Sequence, residues 1–420
     1  MMNKQFTSLG FGPADILLPQ SCDLAKWSVV ACDQYTAQPE YWERVDRVVG
    51  DAPSTLRLIL PESRLNEDGV DEEIQAIHQT MDRYLAQGEF RELSQAMIYV
   101  ERTQANGRVR RGLVGAADLE RYDFHAGSDS LIRATEGTVL ERIPPRVKVR
   151  QGAALELPHV MLLVDDPAQS VIAPLAQQTG EMELLYDFDL MENGGHLKGW
   201  RLTRTQLDQV ATALSALADE AAFQARYNAP GKPPLLFAVG DGNHSLATAK
   251  ACHDQDPANA RARYALAELV DLHDEALEFE PIHRVLFGVE PADVLTVLKA
   301  AYPGAHDGAG EGHVLRYVHA GGKGALTVPR PESQLAVGTL QRFLDGYLAN
   351  HPGVKLDYIH GADVTEDLAR QPGNLGFLLP AMEKDQLFPT VIFDGVLPRK
   401  TFSMGEAHDK RFYLEARKIR

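Results

Sequence analysis

The sequence predicts an α+β protein with mixed sheets and flanking helices. Apolar runs of strand length and amphipathic stretches of helical period both recur along the chain, but not in strict βαβ alternation. Two segments turn back at Asn-Gly, which signals antiparallel hairpins. One apolar run passes through glycines straight into a helix-forming stretch, "LLFAVGDGNHSLATAK" at 235–250.

In chain order, "ADILLP" (14–19) is a short strand, and "WSVVACDQYT" (27–36) is a buried strand ending in polar residues. In "DEEIQAIHQTMDRYLAQGEF" (71–90), Ile74, Ile77, Met81 and Leu85 recur every three or four residues and Gly88 closes the helix. Hairpins turn at Asn106-Gly107 and at Asn193-Gly194-Gly195, with the buried strand "HVMLLVDD" (159–166) between them. Residues 204–227 read as one long helix. Helices over 291–302 and 333–351 follow, and 304–314 is the most linker-like stretch. "NLGFLLP" (374–380) and "PTVIFDGVLP" (389–398) read as strands. A chain of 420 residues exceeds one ordinary core. It divides into an N-terminal α/β region (1–125), a core with the glycine turn (126–300) and a C-terminal α+β region (301–420).

The balance of 42 Lys+Arg against 59 Asp+Glu gives a formal charge of −17. Such a surface repels nucleic acid and anionic lipid. Basic residues nevertheless cluster at 142–150 and 398–420, which suits a small anionic metabolite as partner. Cys22, Cys32 and Cys252 form neither a disulfide framework nor a zinc spacing. No secretory leader and no run of 18 apolar residues is present, so the expectation is a cytoplasmic protein without membrane contact; a homodimer is a candidate assembly that the sequence does not decide.

Four segments could carry chemistry. At 240–244, Gly240 and Gly242 let the backbone approach a ligand closely, and Asp241 and Asn243 are N-cap acceptors. The helix behind them offers N–H groups and a partial positive charge to a phosphate, with His244 in its first turn. The plain alternative is a capped strand-to-helix turn that binds nothing. In "LIRATEGTVLERIPPR" (131–146), Glu136 lies among Arg133, Arg142 and Arg146, as a base beside an anion site would, while Pro144-Pro145 breaks any helix. A surface ion-pair network gives the same string. In "EFEPIHRVLFGV" (278–289), His283 and Arg284 emerge at a strand end; His273, Asp274 and His283 could ligate a metal but match no specific metal spacing. Arg399, Lys400, Thr401 and Ser403 form a compact donor set suited to phosphate oxygens or, more simply, a basic strand end. Cys32 has no histidine near it in sequence and is not favoured as a nucleophile. Asp33, Gln34 and Arg146 are the candidate substrate contacts.

"WSVVACDQYT", "APSTLRLILPE", "DGNHSLATAK", "EPIHR" and "GVLPRKTFSMGEA" occur in the order seen in the prokaryotic domain of unknown function 1015 family, which the chain resembles over nearly its whole length. More distantly, strand, Asp-Gly-x-His and an Ala-rich helix resemble the phosphate-binding turn of the ParB/sulfiredoxin-like superfamily, with Ser245 where a fuller motif has Arg. Free-serine kinases of that superfamily place a catalytic glutamate upstream of the turn, a slot Glu136 fills here.

The resemblance implies a small-molecule phosphotransferase acting on a hydroxy metabolite such as serine or phosphoserine. Glu136, Asp241 and His244 are then catalytic, with Mg2+ on Asp241 and ATP or pyrophosphate as donor. Gly240, Gly242, Asn243, His283, Arg284, Arg399, Lys400, Thr401 and Ser403 would hold phosphate. A non-enzymatic nucleotide- or phosphometabolite-binding regulator, or a phosphatase, would use the same parts.

Overall fold

In the structure, a computed structural model that describes residues 4–420, the Asn106-Gly107 segment turns strand Ile98–Thr103 back onto Val109–Asp118. Gly107 takes the left-handed φ of 81° that such a turn requires. The second hairpin joins Glu183–Asp189 to His196–Arg201 through Asn193 and Gly195, both at positive φ. These four strands begin a ten-stranded mixed sheet. Beyond Val109–Asp118 come Tyr264–Asp271, Met161–Val164, Phe237–Asp241, Ile132–Ala134 and Tyr122–Asp123, and Phe11–Gly12 pairs beside the path. The contacts Tyr264–Asp271 to Met161–Val164 and Phe237–Asp241 to Ile132–Ala134 are parallel. The fold is α+β with mixed sheets and flanking helices.

The chain gathers into two units, one running to Leu277 and taking in Glu406–Arg420, the other Glu278–Gly405. Near residue 125, where a region break was expected, the large sheet runs through: Val109–Asp118 pairs with Tyr264–Asp271. Residue 300 lies inside helix Pro291–Ala301. The second unit holds a seven-stranded sheet: His306–Asp307, Gly322–Val328, His313–His319, Asn374–Leu378, Phe279–Phe287 and Lys355–His360 in order, with Phe402–Met404 on Phe279–Phe287.

Helix Val70–Gln87 buries Ile74, Ile77, Thr80, Met81 and Tyr84 on one face and ends at Gly88, φ 72°. Several expectations are corrected. Residues 28–36 form no regular strand: a single bridge, Val30 to Phe412, with Ala31 N donating to Arg411 O and Tyr413 N to Val29 O, is followed by turns from Cys32 on. The stretch 204–227 is two helices, Arg204–Leu217 and Glu220–Tyr227, because the Asp219 carboxylate accepts from Ala222 N and starts the second. Within 389–398, residues up to 393 belong to helix Leu387–Phe393, whose first turn holds Pro389, where a missing N–H costs nothing. For the same reason Pro144 and Pro145 open helix Ile143–Arg150 and do not break it.

The first unit closes around a buried ionic cluster. Glu268 sits on a central strand, fully buried, with Arg110 Nε at 3.4 Å and the Arg411 guanidinium against its other oxygen. Arg411 also donates to Glu415 (2.6 Å) and to Pro158 O (3.0 Å), and Tyr186 OH donates to Glu415 (2.6 Å). Room for the Glu268 carboxylate exists because position 112 is glycine: a Cβ there would lie 2.6 Å from Glu268 Oε1.

Burial alone would raise the Glu268 pKa, but the charges of Arg110 and Arg411 more than offset it and hold the carboxyl below its ordinary value. The unfolded chain therefore takes up this proton first as pH falls. The stabilisation is complete above the unfolded value of about 4.3 and is lost as pH drops from there through the folded value. Replacing Glu268 by Gln, which leaves Arg411 without half its charge partners, should cost about 3–5 kcal/mol in urea unfolding at pH 7. The gap to the parent protein should narrow at acid pH.

Candidate functional site

The glycine turn is built as its sequence suggests, with one change of roles. Strand Phe237–Asp241 ends at Asp241, Gly242 adopts φ 78° and ψ 27°, and helix Asn243–Gln255 follows at once. A Cβ on Gly242 would meet Val160 Cα at 3.1 Å, so both its conformation and its surroundings favour glycine. Gly242 is the N-cap residue, and neither Asp241 nor Asn243 caps the helix. Asp241 Oδ1 accepts from Gly242 N (2.9 Å), and its Oδ2 faces Lys410 Nζ at 3.2 Å. Burial acts to raise the Asp241 pKa, and the nearby charges of Lys410 and His159 outweigh it, so the carboxyl lies below its ordinary value.

Asn243 reaches sideways to the neighbouring strand. Its Oδ1 accepts from Thr135 N (3.2 Å) and its Nδ2 donates to Thr135 Oγ1 (3.3 Å), while Thr135 Oγ1 donates to Val239 O (2.6 Å). Val139 N donates to His244 Nε2 at 3.3 Å. The segment carrying Glu136 is thus pinned on both sides to consecutive residues of the turn. Gly240, Asp241, Gly242, Asn243, His244 and Glu136 are all half-buried.

A cavity of about 150 Å³ adjoins the first turn of this helix. Aliphatic side chains form most of its wall, and its polar lining includes Cys32, Glu62, Arg146, His159, Ser245 and Tyr413. Arg146 Nε donates to Glu62 Oε1 (2.8 Å) and its NH1 to Arg142 O (2.7 Å). His159 Nε2 is 2.8 Å from Ser245 Oγ and 4.0 Å from Asp33 Oδ2, and its Nδ1 is 2.7 Å from Tyr413 OH. Tyr413 OH accepts from Cys32 N (3.2 Å) and lies 3.1 Å from Cys32 Sγ. Gln34 Nε2 donates to Asp33 Oδ1 (2.9 Å). Burial, with the Asp33 charge adding to it, pushes the Cys32 thiol up to about 12, which makes it inert as a nucleophile at neutral pH.

Of the expected residues, the first unit therefore contains Asp33, Gln34, Glu136, Arg146 and the 240–244 turn. Two of the three arginines expected around Glu136 are committed elsewhere: Arg133 donates to Ser130 O and Pro233 O, and Arg146 pairs with Glu62, while Arg142 is exposed. Sequence reasoning missed His159, Lys410 and Tyr413. His159 had a signal, a histidine at the start of an apolar strand, and Lys410 lies in the same basic C-terminal stretch as the 399–403 donor set.

The remaining expected residues belong to the second unit. His283 and Arg284 occupy the interior of strand Phe279–Phe287 and not its end. Arg284 is fully buried; it donates to Lys400 O, Arg399 O and Gln341 Oε1, each at 3.0 Å, and stacks on Tyr358. Its guanidinium fixes a loop, in which Lys400 takes φ 55°. Arg399 is exposed beside Asp345 (3.7 Å), Thr401 Oγ1 donates to Pro398 O (2.6 Å), and Ser403 Oγ donates to Gly405 O (3.3 Å). Among the described residues, no helix is long and apolar enough to cross a membrane.

Comparison with known proteins gives a family and a set of distant folds. The model of a family described as "Protein of unknown function (DUF1015)" matches residues 16–347. No curated protein matches the sequence. Among solved structures, the chain is similar to a free serine kinase in complex with AMP, at 12% identity and TM-score 0.39, over 72% of this chain and 91% of that one. It is similar to a conserved hypothetical protein from Pyrococcus furiosus at 12% identity and TM-score 0.36, over 73% and 94%. It is also similar to C-terminally truncated SbnI from Staphylococcus aureus at 8% identity and TM-score 0.37, over 70% and 82%. At these scores the likenesses assign no residue a role.

Replacing Tyr413 by Phe removes the acceptor of the Cys32 N–H and the partner of His159 Nδ1. It should lower stability by about 1–3 kcal/mol in chemical denaturation. In the parent protein, mass spectrometry after iodoacetamide treatment at pH 8 should find Cys32 unmodified unless the chain is first unfolded.

Proposed function

Within the DUF1015 family, to which this chain belongs, we propose that it is a small-molecule phosphotransferase whose reacting centre lies between Glu136 and the 240–244 turn. The observation that carries this reading is the double pinning of the Glu136 segment, through Thr135 to Asn243 and through Val139 to His244. A carboxylate is thereby held close to a helix N-terminus, the pairing of base and anion site that phosphoryl transfer requires.

The chemistry follows from the parts. A phosphoryl group lies against the backbone of Gly240–His244, where the helix N-terminus and Lys410 offset its charge. Glu136 takes the proton of an acceptor hydroxyl as its oxygen bonds to phosphorus, and the bond from phosphorus to the donor's bridging oxygen breaks. Asp33, Gln34 and Arg146 bind the acceptor, a small hydroxy metabolite such as serine or phosphoserine; ATP or pyrophosphate is the donor. Magnesium needs only one or two protein carboxylates beside phosphate oxygens. Asp241, the residue expected to hold it, already has Lys410 Nζ at 3.2 Å from Oδ2, so the donor set does not fit the ion and no step is routed through it. His244, tied to Val139 N, orients the loop.

The test is transfer by purified protein from ATP or pyrophosphate to serine and other small hydroxy acceptors, followed by phosphorus NMR. Glu136→Gln should lower kcat about 100-fold or more with little change in KM. Absence of transfer from either donor, or an undiminished rate in Glu136→Gln, overturns the reading. Saturable nucleotide binding without turnover would identify a regulator instead, and release of free phosphate a phosphatase.

A further inference from the structure

The second unit contains a cavity of about 730 Å³ that the phosphotransferase reading does not use. Three of its wall residues come from one row of the seven-stranded sheet. Arg316 stands opposite Leu378, and His283 stands one step beyond the Arg284↔Phe377 pair, on Leu378's other side. Neighbouring strands lie about 4.8 Å apart, so His283 and Arg316 stand about 10 Å from each other across the row. A ligand of several heavy atoms bridges that distance.

The hydrogen bonds decide what this wall offers. Leu379 N donates to His283 Nδ1 (3.1 Å), which requires that nitrogen to be unprotonated and puts the ring proton on Nε2. His283 is only 4% exposed, yet its Nε2 has no acceptor among the described residues. Because His283 lines the cavity, that N–H is open to an acceptor that enters it. Burial, with the Arg284 charge adding to it, holds the His283 pKa below its ordinary value, so the ring is a neutral donor.

Arg316 is exposed and has no carboxylate within ion-pair distance among the described residues. Leu335, Ala336 and Val337 contribute the start of helix Ala336–Asn350, which has no side-chain cap. The one carboxylate in the wall, Glu383, is turned back to cap its own helical turn with Gln386. Cation, neutral N–H donor and helix start therefore line one cavity whose wall holds no other carboxylate; Asp394, outside the wall, is spent on Gln334 N (2.8 Å), one residue before the cap position Leu335.

We propose that this cavity binds an oxyanion-bearing metabolite, its phosphate or carboxylate group held by His283 Nε2–H, the Arg316 guanidinium and the first amides of helix Ala336–Asn350. The site lies wholly within the second unit and stands whether or not the first unit transfers phosphate.

The test follows the imidazole 15N resonances of the full chain, with His283 assigned through His283→Asn, during titration with inorganic phosphate and, separately, succinate at constant ionic strength. The His283 Nε2 signal should shift saturably with at least one probe, and the responding probe identifies the oxyanion as phosphoryl or carboxylate. Arg316→Gln, an exposed and fold-neutral change, should weaken that response about tenfold. Lys410→Met, in the first unit, should leave it unchanged. A His283 signal unmoved by both probes overturns the proposal, as does an affinity that Arg316→Gln does not alter. Because the readout belongs to His283, its failure is distinct from a failure to detect phosphoryl transfer.

Discussion

The C-terminal half of the candidate site in the first unit depends on the buried contact between Glu268 and Arg411. A carboxylate on the central strand of a sheet would ordinarily be forced neutral or excluded. Here two guanidiniums face it and a glycine at 112 makes space for it. The consequence is topological. Arg411 belongs to the last fifteen residues of the chain, and its ion pairs draw that segment against the sheet, where Ala31 and Val29 complete its backbone hydrogen bonds. Lys410 and Tyr413 lie one and two positions from Arg411, so the same contact delivers the cation beside Asp241 and the phenol beside His159. Arg411 also holds Pro158 O, which fixes the residue preceding His159.

The polar chain at the cavity shows how firmly these groups are committed. Tyr413 OH donates to Cys32 Sγ, and the His159 ring is held between the phenol oxygen at Nδ1 and the Ser245 hydroxyl at Nε2. The short Ser245 side chain is spent on positioning His159 beside Asp33, and the cation beside the turn is Lys410, 3.2 Å from Asp241. In the second unit Arg284 plays a part like that of Arg411: a buried guanidinium that closes a loop through carbonyl oxygens, well suited to five fixed donors and poorly available to a ligand.

Much of the architecture was legible in the residues. The hairpins at Asn106-Gly107 and Asn193-Gly195, the helix closed by Gly88 and the strand-to-helix glycine turn all rest on local chemistry, since left-handed φ and apolar period are set within a few residues. Misreadings arose where local preference was ambiguous. A β-branched run at 390–392 reads as strand until its packing makes it a buried helix, and paired prolines read as a break until they fall in a first turn. The arginines near Glu136 looked like an anion site because a one-dimensional string cannot show that Arg133 and Arg146 turn to other partners.

The sequence by itself determined the α+β class, the glycine turn and the presence of Glu136, because each follows from residue type and short-range spacing. Tertiary structure alone decided that residues 135–139 lie against 243–244, that His159 and Tyr413 join Cys32 and Ser245, and that Lys410 meets Asp241. The physical reason is separation along the chain. These contacts join positions more than eighty residues apart, and no local pattern encodes them. They exist because a sheet of mixed order brings distant strands together and a buried ion pair pins the C-terminal segment across them.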